Sequence, residues 1–233
     1  GVARRGLRCA LGYDFRWNAL SADVYGFSKP DRDTNMLSAA GSMDLGRFKM
    51  QASALGTFIN DKLAGRQAPE PKQVFTPAVY ASYTLLNNRE LGVRAFYKRS
   101  FRMPTFNDLY YADMGNSQLN PERVTQYNAG VLWDHHTRGL LENLRLSADV
   151  YYNTVRDKIV AYPKGQQFRW TMLNLGRVQI RGIDVQAVAS MQPLRDLNVT
   201  LRAQYTFQRA IDVTSPADNY YRDQIPYIPR HSG

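Results

Sequence analysis

The chain has 233 residues and carries 30 Lys and Arg against 20 Asp and Glu, a net charge of +10. Ordinary Gly and Pro content argues against disorder, and a single cysteine, Cys9, excludes an intramolecular disulfide. No run of about 18 apolar residues predicts a transmembrane helix, and the opening residues lack the apolar core of a signal peptide.

The excess of basic residues does not indicate a nucleic-acid partner. Lys and Arg are spread one or two to each predicted strand, without a cluster along the sequence and without a glycine-aromatic RNA-binding motif. We therefore expect no nucleic acid among the partners. An acidic partner segment, an anionic lipid or an anionic ligand fits the charge better.

Apolar and polar residues alternate along nearly the whole chain, with a period of two that places each set on one face of a strand. The alternating runs are Leu7–Phe15, Leu20–Val24, Phe48–Ala54, Phe75–Tyr83, Leu91–Tyr97, Thr125–Trp133, Leu144–Tyr152 and Val199–Phe207. Since no segment has a helical period, the sequence predicts an all-β fold of about ten or eleven antiparallel strands.

Strand length and loop order favour a membrane barrel over a soluble sandwich. Several runs persist for about 9–12 residues, the length that a tilted strand needs to cross a bilayer, whereas soluble strands average about 5–6. The predicted connections alternate between short and long. The short ones lie near 16–18, 44–47, 86–90, 135–143 and 192–196, and the long ones near 28–34, 60–72, 101–123, 157–169 and 210–220. This order is typical of an up-and-down transmembrane β-barrel.

Aromatic residues near the strand ends agree with two girdles at the membrane interfaces. Phe15, Trp17, Tyr83 and Trp133 lie beside predicted short turns. Tyr97, Phe101, Tyr127, Tyr152 and Phe207 lie nearer the long loops. One strand departs from simple alternation, since Val178 and Ile180 are out of phase with Ile183 and Val185, which predicts a β-bulge at Gly182.

Motifs for catalysis and for metal binding are absent from the sequence. There is no serine-hydrolase elbow, zinc-protease helix, phosphate loop or Cys-x-x-Cys pair. His135 and His136 point to opposite faces of a strand, and Asp31, Asp33, Asp108 and Asp113 lack the spacing of a calcium loop. We therefore predict no enzyme, no catalytic residue, no metal site and no cofactor.

The polar sides of the alternating runs predict a lumen. Five charged residues are predicted to face it, namely Arg94, Lys98, Arg145, Asp149 and Arg202. Four residues of the longest loop, Arg102, Tyr110, Tyr111 and Asn116, would ring the mouth, where aromatic rings and a guanidinium suit a planar or anionic cargo. The alternative is that these four residues pack the loops against one another.

Several short motifs occur in an order that resembles the C-terminal barrel of TonB-dependent outer-membrane receptors. They are Arg102-x-Pro104, the pair Tyr110-Tyr111, Gly115-Asn116, Leu119-x-Pro121-Glu122, the run from Tyr151 to Ile159, Asn174-x-Gly176 followed by Ile180-x-Gly182-Ile183-Asp184, and the run from Gln224 to His231. The family more often has Glu where Asp184 stands. The motifs span about the last 135 residues.

The resemblance implies energy-dependent uptake of a scarce, bulky nutrient across the bacterial outer membrane, the cargo being an iron–siderophore complex, haem, cobalamin or a glycan. It implies that residues 1–233 form part of one barrel domain of about 22 strands, without the plug domain or the final strands. The implied partners are TonB, acting through the plug, together with the plug, the nutrient, and outer-membrane lipid and lipopolysaccharide. Long loops would be extracellular and short turns periplasmic.

Two other functions stay open at this point. A passive porin or structural outer-membrane barrel would need no plug. A soluble all-β carbohydrate-binding or hydrolytic domain would bury the apolar side of each strand in a core and would have loops of mixed length.

Overall fold

A computed structural model describes residues 6–23, 29–64, 69–86, 90–111, 114–137, 139–164, 169–194, 196–217, 219, 221–225 and 228–233. These residues form one antiparallel sheet in which each strand pairs with the next along the chain. The strands are β1 (Gly6–Ala19), β2 (Asp31–Asp44), β3 (Phe48–Lys62), β4 (Lys72–Thr84), β5 (Leu91–Arg102), β6 (Glu122–His136), β7 (Leu141–Lys164), β8 (Arg169–Leu194), β9 (Leu197–Asp212) and β10 (His231–Ser232). The predicted all-β, up-and-down architecture is confirmed.

One short helix, α1 (Phe106–Tyr110), interrupts the connection between β5 and β6. Its five residues are too few to give a helical period in the sequence. A capping box starts it, because Thr105 Oγ1 accepts from the Asp108 amide at 3.1 Å and the Asp108 carboxylate accepts from the Thr105 amide at 2.9 Å. In the part of the chain that the structure describes, no helix is long and apolar enough to cross a membrane.

The strand register separates apolar and polar side chains onto opposite faces. A row that runs across nine strands shows the apolar face: Leu7, Met43, Met50, Ala81, Ala95, Ala129, Val150, Ile183 and Phe207 stand opposite one another in turn. Leu7 is 74% exposed and Val150 53% exposed. The apolar halves of the alternation therefore cover a sheet face instead of filling a core.

The polar face is formed by the residues between those of the apolar face. The neighbouring row contains Asp44, Lys49, Ser82, Arg94, Gly130, Asp149, Asp184 and Thr206. Ion pairs and hydrogen bonds join several of its members across strands, including Lys49 with Asp44 at 3.5 Å. This face is the one over which α1 and its loop fold.

The connections lie on two rims that differ in length. One rim, the short-turn rim, carries residues 45–47, 85–90, 137–140 and 195–196; the other, the long-loop rim, carries 20–30, 63–71, 103–121 and 213–230. The tip of the β7–β8 hairpin lies on the long-loop rim too, since Lys158 to Lys164 pair only with β8, beyond the last β6 partner. The predicted connection 157–169 is therefore mostly paired strand.

The first predicted turn is wrong. Residues 16–18 lie inside β1, which pairs with β2 without interruption from Gly6 to Ala19, and 20–23 are not in a strand. Phe15 and Trp17 consequently lie near the long-loop rim, while Trp133 stays near the short turns. The polar break resembled a turn between two strands, but β2 is long enough to pair with the first segment and to continue through the break as far as Ala19. Val24 and Asp113 lie outside the described residues.

The predicted bulge at Gly182 is also wrong. The β7–β8 and β8–β9 registers pass through Gly182 without a shift. The apolar phase changes because Val178 and Ile180 lie on the polar face, where Val178 is almost fully buried. Gly182 is needed for another reason, since the ring of Tyr151 lies over it and a Cβ there would collide with that ring.

Candidate functional site

The candidate site lies at the long-loop rim of the polar face, where residues 103–121 fold inward from the end of β5. An arginine of β2, itself paired with an aspartate of β3, holds the beginning of this loop. Arg32 on β2 donates from Nη1 to the carbonyl oxygen of Pro104 at 2.9 Å, and its guanidinium lies 5.0 Å from the centre of the Phe106 ring. A cation–π contact of this kind stabilises the helix position by about 0.5–2 kcal/mol.

Arg32 is itself fixed by a two-point ion pair with Asp61 on β3. Both bonds, from Nε to Oδ1 and from Nη2 to Oδ2, measure 2.7 Å. The side chains are about nine-tenths buried, so each charge depends on the other for its solvation. Tyr110 packs nearby, and burial, together with the Asp61 charge, raises the pKa of its hydroxyl to about 12. That hydroxyl has no hydrogen-bond partner among the described residues.

The other end of the loop is tied to β8. The Met172 amide donates to the Met114 carbonyl oxygen at 3.0 Å, and Asn116 Nδ2 donates to the Met172 carbonyl oxygen at 2.9 Å. Asn174 Oδ1 accepts from the Asn120 amide at 2.8 Å and its Nδ2 donates to the Asn120 carbonyl oxygen at 3.1 Å. The loop therefore bridges the polar face from β2 and β3 to β8.

A small hydrophobic cluster lies beneath this bridge. Leu109 of α1 and Leu119 of the same loop pack against Ile159 on β7, and all three are buried. This apolar cluster and the polar contacts at both ends of the loop hold it over the sheet, in addition to its covalent links to β5 and β6.

An open cleft of about 450 Å³ separates this loop from the β3–β4 connection. Its wall is more polar than apolar. The charged and amide side chains that line it are Asp61, Glu70, Lys72, Gln118 and Asn120. A cleft with both signs of charge and several amide groups suits a polar ligand held by hydrogen bonds.

The four predicted mouth residues lie in the same loop region but in different surroundings. Arg102 pairs with Glu122 at 3.1 Å and Asp108 at 3.6 Å, and Asn116 ties the loop to β8. Tyr110 packs inward beside Asp61, whereas Tyr111 is 57% exposed. Among these four, Tyr111 therefore offers the most open surface, and the ligand-binding role of the set stays a prediction.

The five charged residues predicted to face the lumen all lie on the polar face. Arg94 reaches Asp149 across β6, and Arg145 pairs with Asp134 on β6 at 2.6 Å. Lys98 stands between Ala78 and Gln126, and Arg202 stands opposite Val188. The structure thus brings two of the five into contact with each other, places Arg145 and Arg202 in one row on either side of Val188, and places Lys98 in another row.

The sequence interpretation missed the Arg32–Asp61 pair and the cleft. The two residues lie 29 positions apart, and only the β2–β3 register places them opposite one another. A sequence signal exists in the Thr105-x-x-Asp108 capping box, which predicts a helix start inside the loop. Within the described residues, no group of three His, Cys, Asp or Glu side chains is placed to hold a metal ion.

Comparison with known proteins gives the same architecture. The family model described as "TonB dependent receptor-like, beta-barrel" matches residues 7–233. The vitamin B12 transporter BtuB of Vibrio vulnificus is 33% identical over 88 residues, which are 38% of this chain and 13% of that protein. The vitamin B12 transporter BtuB of Photobacterium profundum is 31% identical over 105 residues, 42% of this chain and 16% of that protein.

Solved structures share the fold at low sequence identity. The copper transporter OprC superposes with a TM-score of 0.68 at 14% identity, over 89% of this chain and 36% of that one. The alcaligin receptor FauA of Bordetella pertussis superposes with a TM-score of 0.56 at 19% identity, over 97% and 38%. The chain therefore spans little more than a third of these transporters. The resemblance seen in the sequence is confirmed, and with nearly its whole length matched by the family model, the chain belongs to the TonB-dependent receptors, within their outer-membrane β-barrel.

Proposed function

We propose that this chain forms part of the wall of a receptor that imports a scarce, bulky nutrient across the outer membrane, with energy supplied through TonB. The observation that carries the proposal is the separation of the two faces by register, together with the family. An exposed apolar face of this extent is stable when lipid covers it, and a polar face that binds its own loop suits a barrel interior.

The polar face is the lumen in this proposal. Arg94, Lys98, Arg145, Asp149 and Arg202 then face the water and the plug, and the apolar face meets lipid. Because the long connections share one rim, that rim is extracellular and the short turns are periplasmic. The cleft and Tyr111 then lie at the outer mouth, where cargo arrives first.

Cobalamin is the first cargo to test, since both curated relatives above are vitamin B12 transporters. Iron–siderophore complexes, haem and glycans are the other candidates, and the solved relatives include iron and copper transporters. Arg102, Tyr110 and Asn116 shape the mouth by holding the loop. Tyr111 and the cleft residues Glu70 and Lys72 contact the cargo.

Residues 1–233 are proposed to be one part of a single barrel domain of about 22 strands. A plug domain and further strands are supplied by the rest of the receptor, and TonB acts through the plug. The segment performs no covalent chemistry and needs no cofactor. Its outer edges, β1 and β10, must pair with other strands, because an open sheet edge is not tolerated in lipid.

The test is uptake of labelled cobalamin by cells that express the complete receptor as their only cobalamin receptor. Saturable uptake that is lost when TonB is deleted supports the proposal. Uptake that persists without TonB, together with leakage of small unrelated solutes, favours a passive porin instead. No uptake of cobalamin, followed by TonB-dependent uptake of an iron complex, would retain the mechanism and change the cargo.

The mouth is tested separately by substituting Tyr111→Ala and, in a second variant, Glu70→Gln with Lys72→Gln. Loss of cargo binding at equal surface level is the expected result for both. Leu140→Ala, an exposed position in a turn on the opposite rim, is the matched control. Normal binding by both mouth variants would place the cargo contacts in other loops or in the plug.

A further inference from the structure

Six arginines lie together on the apolar face, at its long-loop end. They come from five adjacent strands, β5 to β9, and occupy strand positions on the same face as the apolar rows. They are Arg99, Arg123, Arg156, Arg177, Arg181 and Arg209, named here the arginine patch. In the sequence they are spread one or two to a strand, and only the register assembles them.

The arginine patch places like charges at directly opposite positions on neighbouring strands. Arg123, Arg156 and Arg177 stand opposite one another on β6, β7 and β8, and Arg181 stands opposite Arg209. Directly paired positions place Cβ atoms about 4.5–5.5 Å apart, and like charges there are destabilising. Within the described residues, none of the six forms an ion pair with a carboxylate, so no carboxylate in this part of the chain neutralises them at contact distance.

The same face carries no excess of positive charge on the described residues of β1–β4. At the long-loop end of β2 and β3 it has two carboxylates, Asp31 and Asp33, and one lysine, Lys62, which pairs with Asp33 at 2.7 Å; the β1 positions at this level are Phe15 and Trp17. Among the described residues, the excess of positive charge on this face is therefore confined to β5–β9. A general attraction to anionic lipid would not require the arginines to cluster on adjacent strands, whereas the binding of one anionic molecule would.

The patch begins where the apolar band ends. Tyr97, Tyr127 and Tyr152 form a row on β5, β6 and β7, and Arg181 and Arg209 continue that row on β8 and β9. The rings of Tyr97 and Tyr127 lie 5.2 Å apart. Tyrosine rings at a strand end mark the headgroup level of a membrane, so the guanidinium groups lie at the level of lipid phosphates.

We propose that the arginine patch binds the phosphates of one lipopolysaccharide molecule in the outer leaflet. Arginine forms two-point hydrogen bonds with phosphate oxygens, and a doubly phosphorylated glycolipid supplies enough negative charge to offset the cross-strand repulsion. Its acyl chains lie against the apolar row that contains Val150 and Ile183. The inference rests on the proposed outer-membrane location and on the long-loop rim being extracellular.

The experiment uses the complete receptor purified in detergent, with lipid A as the probe. Native mass spectrometry compares doubly phosphorylated lipid A with its dephosphorylated form. The test variant is Arg123→Gln, Arg156→Gln and Arg177→Gln together. The control loses the same charge elsewhere, through Arg8→Gln, Arg47→Gln and Arg202→Gln on the polar face and the short-turn rim. Heat-dependent gel migration checks that each barrel is folded.

The expected result is an affinity for phosphorylated lipid A that is at least about tenfold lower in the test variant than in the control, since hydrogen bonds between guanidinium and phosphate groups are among the strongest that proteins form. Equal binding by the two variants would overturn the proposal. If the test variant does not fold, the unmodified receptor still tests the proposal. Dephosphorylated lipid A that binds to it as tightly as the phosphorylated form would also overturn the proposal.

The two proposals fail separately. A receptor that imports its nutrient with TonB but shows no preference for phosphorylated lipid A refutes the lipid site alone. A receptor that binds lipid A through the arginine patch but imports no nutrient refutes the transport proposal alone.

Discussion

Arg94 on β5 and Asp149 on β7 form a two-point ion pair that passes over the intervening strand β6. Arg94 Nε donates to Asp149 Oδ1 at 3.0 Å, and Nη2 donates to Oδ2. The β6 residue opposite both is Gly130, and a Cβ at this position would collide with the Asp149 carboxylate. The absence of a side chain on β6 is what allows strands β5 and β7 to be joined on the polar face.

Gly130→Ala is therefore expected to destabilise the barrel. The added methyl group displaces Asp149 from Arg94, and overpacking of this kind costs about 1–3 kcal/mol. Denaturant unfolding of the complete receptor in lipid vesicles measures the change. Gly92→Ala is the matched control on the same face, because a Cβ there meets only ordinary contact distances. Equal stability of the two variants would show that the pair adapts without cost.

The two faces of β8 are expected to differ sharply in their tolerance of charge. Val185 lies on the apolar face and Gln186 on the polar face of the same strand. Val185→Arg places a charge against lipid, at a cost of about 2–4 kcal/mol near mid-bilayer, and reduces the amount of folded receptor in the outer membrane. Gln186→Arg leaves that amount unchanged. Similar levels of the two folded variants, measured by heat-dependent gel migration, would contradict the assignment of the faces.

The sequence predicts this fold well because the side-chain period of a strand is directly visible in one dimension. Alternation at Leu144–Tyr152 or Val199–Phe207 names both faces before any partner strand is known. The same argument gave wrong predictions where polar residues lie inside a continuous strand or apolar residues lie on the polar face. Residues 16–18 look like a turn but continue β1, and Val178 and Ile180 look like a register shift but are apolar residues on the polar face, under the loops.

The candidate site was predictable only in part, for a different reason. Its loop was identified from Pro, Gly and Asn content, and the predicted lumen residues do share one face. The contacts that shape the site join residues far apart in the chain, as Arg32 joins Asp61 and Asn120 joins Asn174. The arginine patch is the clearest example, because its members look scattered until the register places Arg123, Arg156 and Arg177 side by side.

The orientation of the two rims can be tested by cysteine labelling in intact cells. Ser117 lies in the long loop between β5 and β6, and Leu140 in the short turn between β6 and β7. In a Cys9→Ser background, a membrane-impermeant thiol reagent is expected to label Ser117→Cys and not Leu140→Cys. Labelling of Leu140→Cys alone would reverse the orientation and remove the cleft from the extracellular mouth. After lysis both positions should react, which confirms that each cysteine is accessible.

Arg32 is expected to control how firmly the long loop holds its position. Arg32→Met removes the hydrogen bond to the Pro104 carbonyl oxygen and the contact with the Phe106 ring, and it leaves Asp61 buried without its partner charge. The hydrogen bond contributes about 1.5–3 kcal/mol and the cation–π contact about 0.5–2 kcal/mol, so the loop should open at least about ten times more often. Cleavage by chymotrypsin after the exposed Tyr111 should accelerate by the same factor.

The matched control for this loop prediction lies on the same two strands, on their opposite face. Lys62→Met removes the Lys62–Asp33 pair, whose lysine is exposed to solvent, so that water and salt screen the attraction and the pair contributes little to stability. Cleavage in the loop should then proceed as in the unmodified receptor. If Arg32→Met also leaves the cleavage rate unchanged, the Leu109–Leu119–Ile159 cluster and the ties to β8 hold the loop without help from β2. Cargo binding should follow the cleavage result, because an undocked loop no longer closes one wall of the cleft.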